Sequence, residues 1–109
     1  MYQTVGHDLV EHIAKAMGLP LVRRVLEGVP KATTSTSYAP VTGDEVEDLL
    51  RLLEDVKQQF PDIEAVSCGA ILSNYQRVRV ENVCNRLGLK VLAFMWRQAQ
   101  SHLLGQMIK

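Results

Sequence analysis

Apolar residues recur along the chain with two spacings, one typical of amphipathic helices and the other of covered strands. Residues 44–60 show the clearest helical spacing, because apolar side chains return every three or four positions. The apolar face of this predicted helix consists of Val46, Leu49, Leu50, Leu53, Val56 and Phe60. Residues 63–72 form a nearly continuous apolar run of strand length, which is typical of a parallel strand covered on both faces.

The remaining segments extend this alternation. The spacing predicts further helices over residues 7–17, 74–87 and 98–108, and further strands over residues 21–26 and 90–96. Helices and strands therefore alternate from one end of the chain to the other. This order predicts an α/β fold with a mostly parallel sheet and right-handed crossovers.

Each predicted helix also has an expected inward face. For helix 74–87 this face is Val80, Val83, Cys84 and Leu87, which leaves Arg79, Asn82 and Arg86 pointing to solvent. For helix 98–108 it is Leu103, Leu104, Met107 and Ile108. For helix 7–17, the apolar residues that share a face are Leu9, Val10, Ile13, Ala14 and Met17.

Four acidic residues crowd the start of helix 44–60. Asp44, Glu45, Glu47 and Asp48 lie where the helix dipole favours negative charge, and Thr42 with Glu45 fits a capping box. The favoured interpretation is a group of solvated acids stabilised by the dipole, and a metal site is the less favoured alternative. No metal ligand is assigned.

Composition limits the classes of function. The chain has 109 residues, 47% of them hydrophobic, and a formal net charge of zero, so we expect one small domain with a core and no general affinity for nucleic acid or membrane surfaces. No apolar run is long enough to span a membrane, and the first residues do not resemble a signal peptide. Cys68 and Cys84 lack metal-ligand spacing and are interpreted as reduced buried thiols.

Residues 29–43 are rich in Thr, Ser and Pro and show no periodicity. The favoured interpretation is a flexible surface loop within the domain. The alternative is a mobile lid, because long loops in compact domains are often functional.

Five polar residues separate the 63–72 strand from the helix that follows: Ser73, Asn74, Tyr75, Gln76 and Arg77. Ligands of parallel α/β sheets bind beyond the carboxyl ends of the strands, and the N-terminus of a helix attracts anions. Gln76 and Arg77 fall on or beside the inward side of the helix, which favours recognition of a phosphate or carboxylate over a structural cap with a salt bridge. For Tyr75, a simple packing role is an equally good alternative.

Four stretches of the chain form an ordered pattern, namely MYQTVGH, GDEVEDL, GAILSNYQRVRVENVCNRLGL and LAFMWRQAQ. In this order they resemble the diphthine–ammonia ligase family of the ATP-binding alpha-hydrolase group. The resemblance covers nearly the whole chain and is weakest in residues 29–42. It implies a Rossmann-like three-layer sandwich with a mostly parallel sheet, incomplete in this chain.

The resemblance also implies a reaction. The family uses ATP, with Mg²⁺, to activate the diphthine carboxylate of translation elongation factor 2, and ammonia then displaces AMP to give diphthamide. A cytoplasmic location follows from the substrate, with no direct contact to nucleic acid. The residues that the resemblance assigns to nucleotide or substrate binding are Gly69, Ala70, Ser73, Asn74, Tyr75, Gln76 and Arg77, with His7, Glu45, Glu47 and Asp48 as weaker candidates. Catalytic residues stay unassigned.

Members of that family also carry an N-terminal Ser-Gly-Gly-Lys-Asp-Ser loop that grips the ATP phosphates, and this sequence is absent from the chain. The resemblance therefore implies that residues 1–109 are a single partial domain that binds ATP weakly and forms no AMP by itself. The alternatives are a non-catalytic interaction module and a generic nucleotide-binding α/β domain. Because a sheet that lacks a strand exposes unpaired edges, we expect the chain to form a homodimer or larger oligomer.

Overall fold

The computed structural model describes residues 1–2, 5–34 and 36–109. The helices and strands follow in the order 3₁₀ helix His7–Leu9, α1 Val10–Met17, α2 Glu45–Gln59, β1 Ala65–Ser67, α3 Asn74–Arg86, β2 Lys90–Leu92 and α4 Gln100–Met107. All four predicted helices are present, with ends that differ from the predicted ones by at most three residues. The strand predicted over residues 21–26 is wrong, because this segment has no strand beside it to share backbone hydrogen bonds.

The two strands form a parallel sheet in the register Ala65↔Lys90, Val66↔Val91 and Ser67↔Leu92. Helix α3 connects them as the crossover. The predicted α/β class and the parallel pairing are thus confirmed. The complete three-layer sandwich stays a prediction, because the described residues form only these two strands.

Both strands are shorter than their apolar runs. The last ladder hydrogen bonds run from Lys90 N to Glu64 O and from Cys68 N to Leu92 O, at 2.9 Å each. Beyond Cys68 the backbone leaves the sheet and turns toward the start of α3. Apolar composition therefore overstates strand length, because pairing with the neighbouring strand sets where each strand ends.

Helices α2 and α3 pack on each other over the sheet and supply most of the core. Val46, Val83 and Cys84 are fully buried, and Leu53, Leu89 and Tyr38 join them. Two of the four residues predicted to face inward from α3 therefore lie at its centre, while Val80 and Leu87 are partly buried beside it. Burial raises the pKa of the Cys84 thiol, which keeps it in the neutral form.

The apolar faces of the outer helices are exposed. In α4 only Leu103 is buried, and Leu104, Met107 and Ile108 are 60–78% exposed, so the predicted inward face is wrong for these three residues. In α1 no residue is buried. Within the described ranges, no element is long enough or apolar enough to be a membrane-spanning helix.

Candidate functional site at the strand ends

A cavity of about 590 Å³ opens at the carboxyl end of β1, between α2 and the inner side of α3. Its lining consists of Met1, Tyr2, Leu49, Val66, Ser67, Cys68, Gly69, Ala70, Gln76 and Val80. Three of the predicted site residues, Gly69, Ala70 and Gln76, thus come together at one cavity. Its volume suits a small organic ligand.

Gln76 owes its position to the way α3 begins. The Ser73 side chain caps the helix by accepting a hydrogen bond from Gln76 N at 3.3 Å, which fixes the first turn. From this turn the Gln76 amide reaches back across the cavity, and its Nε2 donates to Met1 O at 3.2 Å. The Gln76 side chain therefore places a polar amide group in the lining of the cavity.

Gly69 and Ala70 form the part of the lining that follows β1. A methyl group added at Gly69 would contact only the flexible end of the Met95 side chain, at 3.4 Å, so close packing does not require a glycine here. Ala70 is buried.

Arg77 lies outside the cavity lining. Its guanidinium stacks on the Trp96 ring at 4.7 Å, and its Nε donates to Glu81 at 2.6 Å. Because Arg97 N also donates to Ile71 O at 2.8 Å, the segments that follow the two strands are tied together here. The predicted pairing of Gln76 with Arg77 on one ligand is not evident, since only Gln76 faces the cavity.

The acidic start of α2 is largely buried, which makes the interpretation as solvated acids wrong. Asp44 and Asp48 are only 1% and 3% exposed, and Glu45 is also buried. Asp48 Oδ2 accepts from Glu27 N at 2.9 Å and from Gly28 N at 2.7 Å. The Asp48 carboxylate can be buried because it accepts hydrogen bonds from backbone N–H groups in the segment that precedes α2.

Asp44, one turn earlier, also accepts hydrogen bonds from backbone N–H groups of the preceding segment. Its Oδ2 accepts from Lys31 N and Ala32 N at 2.9 and 2.8 Å, and its Oδ1 caps α2 by accepting from Val46 N. The predicted capping box of Thr42 and Glu45 is therefore wrong. Burial would raise the pKa of Asp44, but the backbone N–H groups outweigh it and hold the pKa below its ordinary value.

Gly28 is required by the same close packing. A Cβ at this position would lie 2.7 Å from backbone atoms of Asp44 and Glu45, which cannot move aside without distorting the start of α2. A parallel bridge between Val29 and Asp44 continues the contact.

The remaining weaker candidates lie apart from the cavity or at its edge. Glu45 contacts the backbone nitrogen of Met1 at 2.5 Å, and its carbonyl accepts from the Tyr2 hydroxyl at 3.3 Å. Burial, together with Glu45, raises the pKa of Tyr2, so this phenol stays neutral. His7 lines a separate cavity of about 340 Å³ with Arg23 and Arg24.

Glu47 joins α2 to α3. It accepts two hydrogen bonds from the Arg86 guanidinium at 2.9 and 2.8 Å, and Arg86 itself is exposed, as predicted. The Tyr38 hydroxyl donates to the same carboxylate at 2.9 Å. Arg86 lowers the pKa of Glu47, while burial and the bond to Glu47 raise the pKa of Tyr38 to about 12.

Arg79 is the residue that the sequence interpretation missed. It was expected to point to solvent, but it is fully buried, with its guanidinium 3.4 Å from the centre of the Tyr75 ring and 5.3 Å from that of Tyr38. Asn82, expected beside it in solvent, instead donates from Nδ2 to Tyr38 O at 3.2 Å. The spacing contained the signal, because Arg79 lies four residues before the inward-facing Val83.

The chemistry of the cavity is that of an apolar site with a few polar groups. Gln76 and Ser67 are polar, the rest of the lining is mostly apolar or backbone, and no lysine or arginine contributes to it. A lining of this kind suits an uncharged organic group better than phosphates, which need cationic groups or clustered N–H donors. Within the described part of the chain, no cluster of three or more His, Cys, Asp or Glu side chains could hold a metal ion.

Comparison of the sequence with known proteins shows the family of the chain. The chain is 57% identical over 108 residues to diphthine–ammonia ligase of Danio rerio, 52% over 108 residues to that of Homo sapiens, and 50% over 107 residues to that of Saccharomyces cerevisiae. These matches cover 98–99% of the chain but only 42%, 40% and 16% of the three relatives. No solved structure gave a significant match. Since the sequence profile described as "Diphthamide synthase N-terminal domain" matches residues 1–91, the chain belongs to that family.

Proposed function

We propose that the chain is part of a diphthine–ammonia ligase, which uses ATP and ammonia to convert diphthine on translation elongation factor 2 into diphthamide. The observation that carries this proposal is the 50–57% identity to relatives of that name over nearly every residue of the chain. The proposed substrate, a translation factor, places the reaction in the cytoplasm.

The cavity at the carboxyl end of β1 is the proposed site for the nucleoside part of ATP. Gly69 and Ala70 supply backbone along one wall, and the Gln76 amide can both donate to and accept from a base edge. Mg²⁺ and the phosphates need charged groups beyond this lining. In the reaction, the diphthine carboxylate attacks the α-phosphorus with loss of pyrophosphate, and ammonia then attacks the acyl carbon and releases AMP.

The roles of the neighbouring polar residues are proposed from their positions. Ser73 and Asn74 form the start of α3 and fix the Gln76 turn. Arg77, 39% exposed and stacked on Trp96, lies at the outer edge of the strand ends, where it can contact an anionic group of a substrate. Tyr75, Glu47 and Asp48 support the site structurally, because their contacts are with other residues of the chain. For Glu45 and His7 a ligand role stays a prediction.

A chimera tests the proposed function. The stretch of the Danio rerio protein that aligns with this chain is replaced by the 108 residues of this chain, and AMP release and diphthamide formation are measured with diphthine-bearing elongation factor 2, Mg-ATP and ammonium. We expect an active chimera. Gln76→Ala should raise the KM for ATP about tenfold, the loss expected for one polar ligand contact. The matched control is Gln58→Ala, an exposed glutamine of α2.

An inactive but folded chimera would refute the proposal. Equal losses in the two glutamine variants would leave the ligase assignment in place and refute the position of the nucleoside site.

A second candidate is self-association, proposed because an apolar helix face and the polar edges of the sheet lack partners in the described chain. The α1 face carries Leu9, Ile13 and Met17 at 55–64% exposure, and both strands of the sheet have an unpaired edge. Sedimentation over a range of concentrations tests it. The variant is Ile13→Glu, and the control is Val25→Glu, which changes an exposed valine outside α1. We expect Ile13→Glu alone to shift the chain toward monomer, and a wild-type monomer at all concentrations would refute it.

A further inference from the structure

Arg79 is a buried cation that connects two separate parts of the chain. Its Nη1 donates to Thr34 O at 3.1 Å and to Tyr75 O at 2.9 Å, and its Nη2 donates to Ala32 O. Two of these acceptors lie in the segment before α2, and the third lies in the first turn of α3. A single guanidinium thus satisfies backbone carbonyls on both.

The segment is also held from its other side. We call residues 27–34 the held segment. Asp44 accepts from the N–H groups of Lys31 and Ala32, and Asp48 accepts from those of Glu27 and Gly28. Ala32 is therefore fixed at its N–H by a carboxylate and at its C=O by a guanidinium.

This arrangement makes the two parts energetically dependent on each other. A fully buried guanidinium is costly unless its N–H groups have acceptors, and the described residues already leave Arg79 Nε without one. If the held segment opens, Arg79 loses the acceptors Ala32 and Thr34. If the first turn of α3 opens, Arg79 loses Tyr75 O and the ring stacked on it.

We propose that Arg79 is a positioning residue that couples the held segment to the first turn of α3, so that both order and loosen together. It acts through Tyr75 on the turn that carries Gln76 into the strand-end cavity. The planar fork of the guanidinium is needed, because one flat group must reach carbonyls on two segments while stacking on a ring. This coupling goes beyond the proposed function and needs no nucleotide.

Native-state hydrogen exchange of backbone amides tests the coupling in the 109-residue chain. The reporters are the amides of Lys31 and Ala32, bonded to Asp44, and those of Gln76 and Arg77, bonded to Ser73. None of the four donates to Arg79. A change in their exchange therefore reports coupling and not the direct loss of a bond to the guanidinium.

Two substitutions perturb the coupling from opposite ends. Arg79→Lys keeps the charge and removes the fork, and we expect faster exchange at Lys31 and Ala32 by about tenfold. Asp44→Asn keeps a good helix cap and weakens the grip on the held segment, and we expect a similar acceleration at Gln76 and Arg77. Once Arg79 is replaced, adding Asp44→Asn should have no further effect at Gln76 and Arg77.

The controls separate coupling from general destabilisation. Arg23→Lys changes an exposed ion pair with Glu11 and should leave all four reporters at wild-type rates. The amide of Phe60, bonded to Val56 O at the end of α2, reports loosening outside the two coupled parts.

The proposal is overturned if each substitution changes the exchange rates only in its own segment, or if the two effects add. It is also overturned if Arg79→Lys leaves the four reporter amides unchanged, or if the exchange of the Phe60 amide accelerates as much as theirs. If Arg79→Lys fails to fold, the response of Gln76 and Arg77 to Asp44→Asn decides alone. Because no nucleotide is added, the result is independent of whether the chain is part of a ligase.

Discussion

The burial of helices α1 and α3 is the reverse of what their sequences suggest. Helix α1 has a clean apolar face, yet no residue in it is buried, and Ile13 and Met17 are 55% and 64% exposed. Helix α3 is rich in polar residues, yet Arg79, Val83 and Cys84 are buried in it. Apolar spacing therefore shows which side of a helix can be covered, whereas the elements packed on that side decide whether it is.

The difference extends to what holds each region in place. The contacts around α1 include surface ion pairs, such as Arg23 with Glu11 at 2.9 Å. Around α3 and the start of α2, buried charges bind backbone groups of the held segment. Surface pairs contribute little to stability, while a buried charge is costly once its partners are removed. The two regions should consequently respond very differently to substitution.

The largest expected effect is at Arg79. Arg79→Met removes a buried donor to three backbone carbonyls and should lower the free energy of unfolding by about 2–5 kcal/mol. Arg23→Met, the matched change beside α1, should lower it by less than about 0.5 kcal/mol. Urea unfolding followed by circular dichroism measures both, and similar losses would remove the distinction between the two regions.

Gly28→Ala tests the close approach of the held segment to α2. The new methyl group would lie 2.7 Å from three backbone atoms, so we expect a loss of about 1–3 kcal/mol in the free energy of unfolding. Gly105→Ala in α4 is the control, because nothing lies within 4 Å of its added methyl and alanine favours helices. Thermal melts of both variants suffice, and a neutral Gly28→Ala would show that the segment is held loosely.

Acid should weaken the region around α3 through Asp44. The pKa of Asp44 is lower in the folded chain than its ordinary value of 3.8, so below about that pH the unfolded chain binds more protons. The stabilisation is therefore present above about pH 4 and is lost as the pH falls toward the folded pKa. In urea unfolding from pH 7 to pH 3, Asp44→Asn should show a shallower loss of stability than wild type. Parallel curves would contradict the assigned bonds.

The smallest effect is expected in α1. Ile13→Ser on its exposed face should change the free energy of unfolding of the monomer by less than about 0.5 kcal/mol, because little area leaves water there on folding. Val83→Ala in α3 should cost about 1–3 kcal/mol, since it removes buried methyl groups. Calorimetry at a concentration that keeps the chain monomeric compares the two variants. A large loss in the free energy of unfolding for Ile13→Ser would mean that the apolar face of α1 is buried in the folded chain.

The sequence predicted the parts of the fold that depend on local spacing. Helices α2 and α3 follow from residues repeating every three or four positions, and Val83 and Cys84 were placed correctly for that reason. The 21–26 strand was wrong, because a strand exists only if another strand lies beside it. The position of Gln76 at the cavity also follows from helical spacing, counted back from Val83.

The buried charges could not be predicted from residue type. Arg79 was placed in solvent because it falls outside the predicted inward face of its helix, and Asp44 and Asp48 because the helix dipole stabilises acids at a helix start. Their partners are backbone groups of residues 27–34, and a sequence does not show which N–H or C=O groups a fold leaves unpaired. The division of Gln76 and Arg77 between cavity and rim likewise depends on Trp96, which lies about twenty residues further along the chain.

We propose that the strand-end cavity beside α3 receives the nucleoside, and that the cavity beside α1 does not. Titrating the ¹⁵N-labelled chain with AMP tests it directly. We expect the amide chemical shifts of Gly69, Ala70 and Gln76 to change, and Gln76→Ala to weaken the binding. The affinity should be low, because no lysine or arginine of the described residues lines the cavity. Shifts centred on His7 and Arg23, or none at saturating nucleotide, would contradict it.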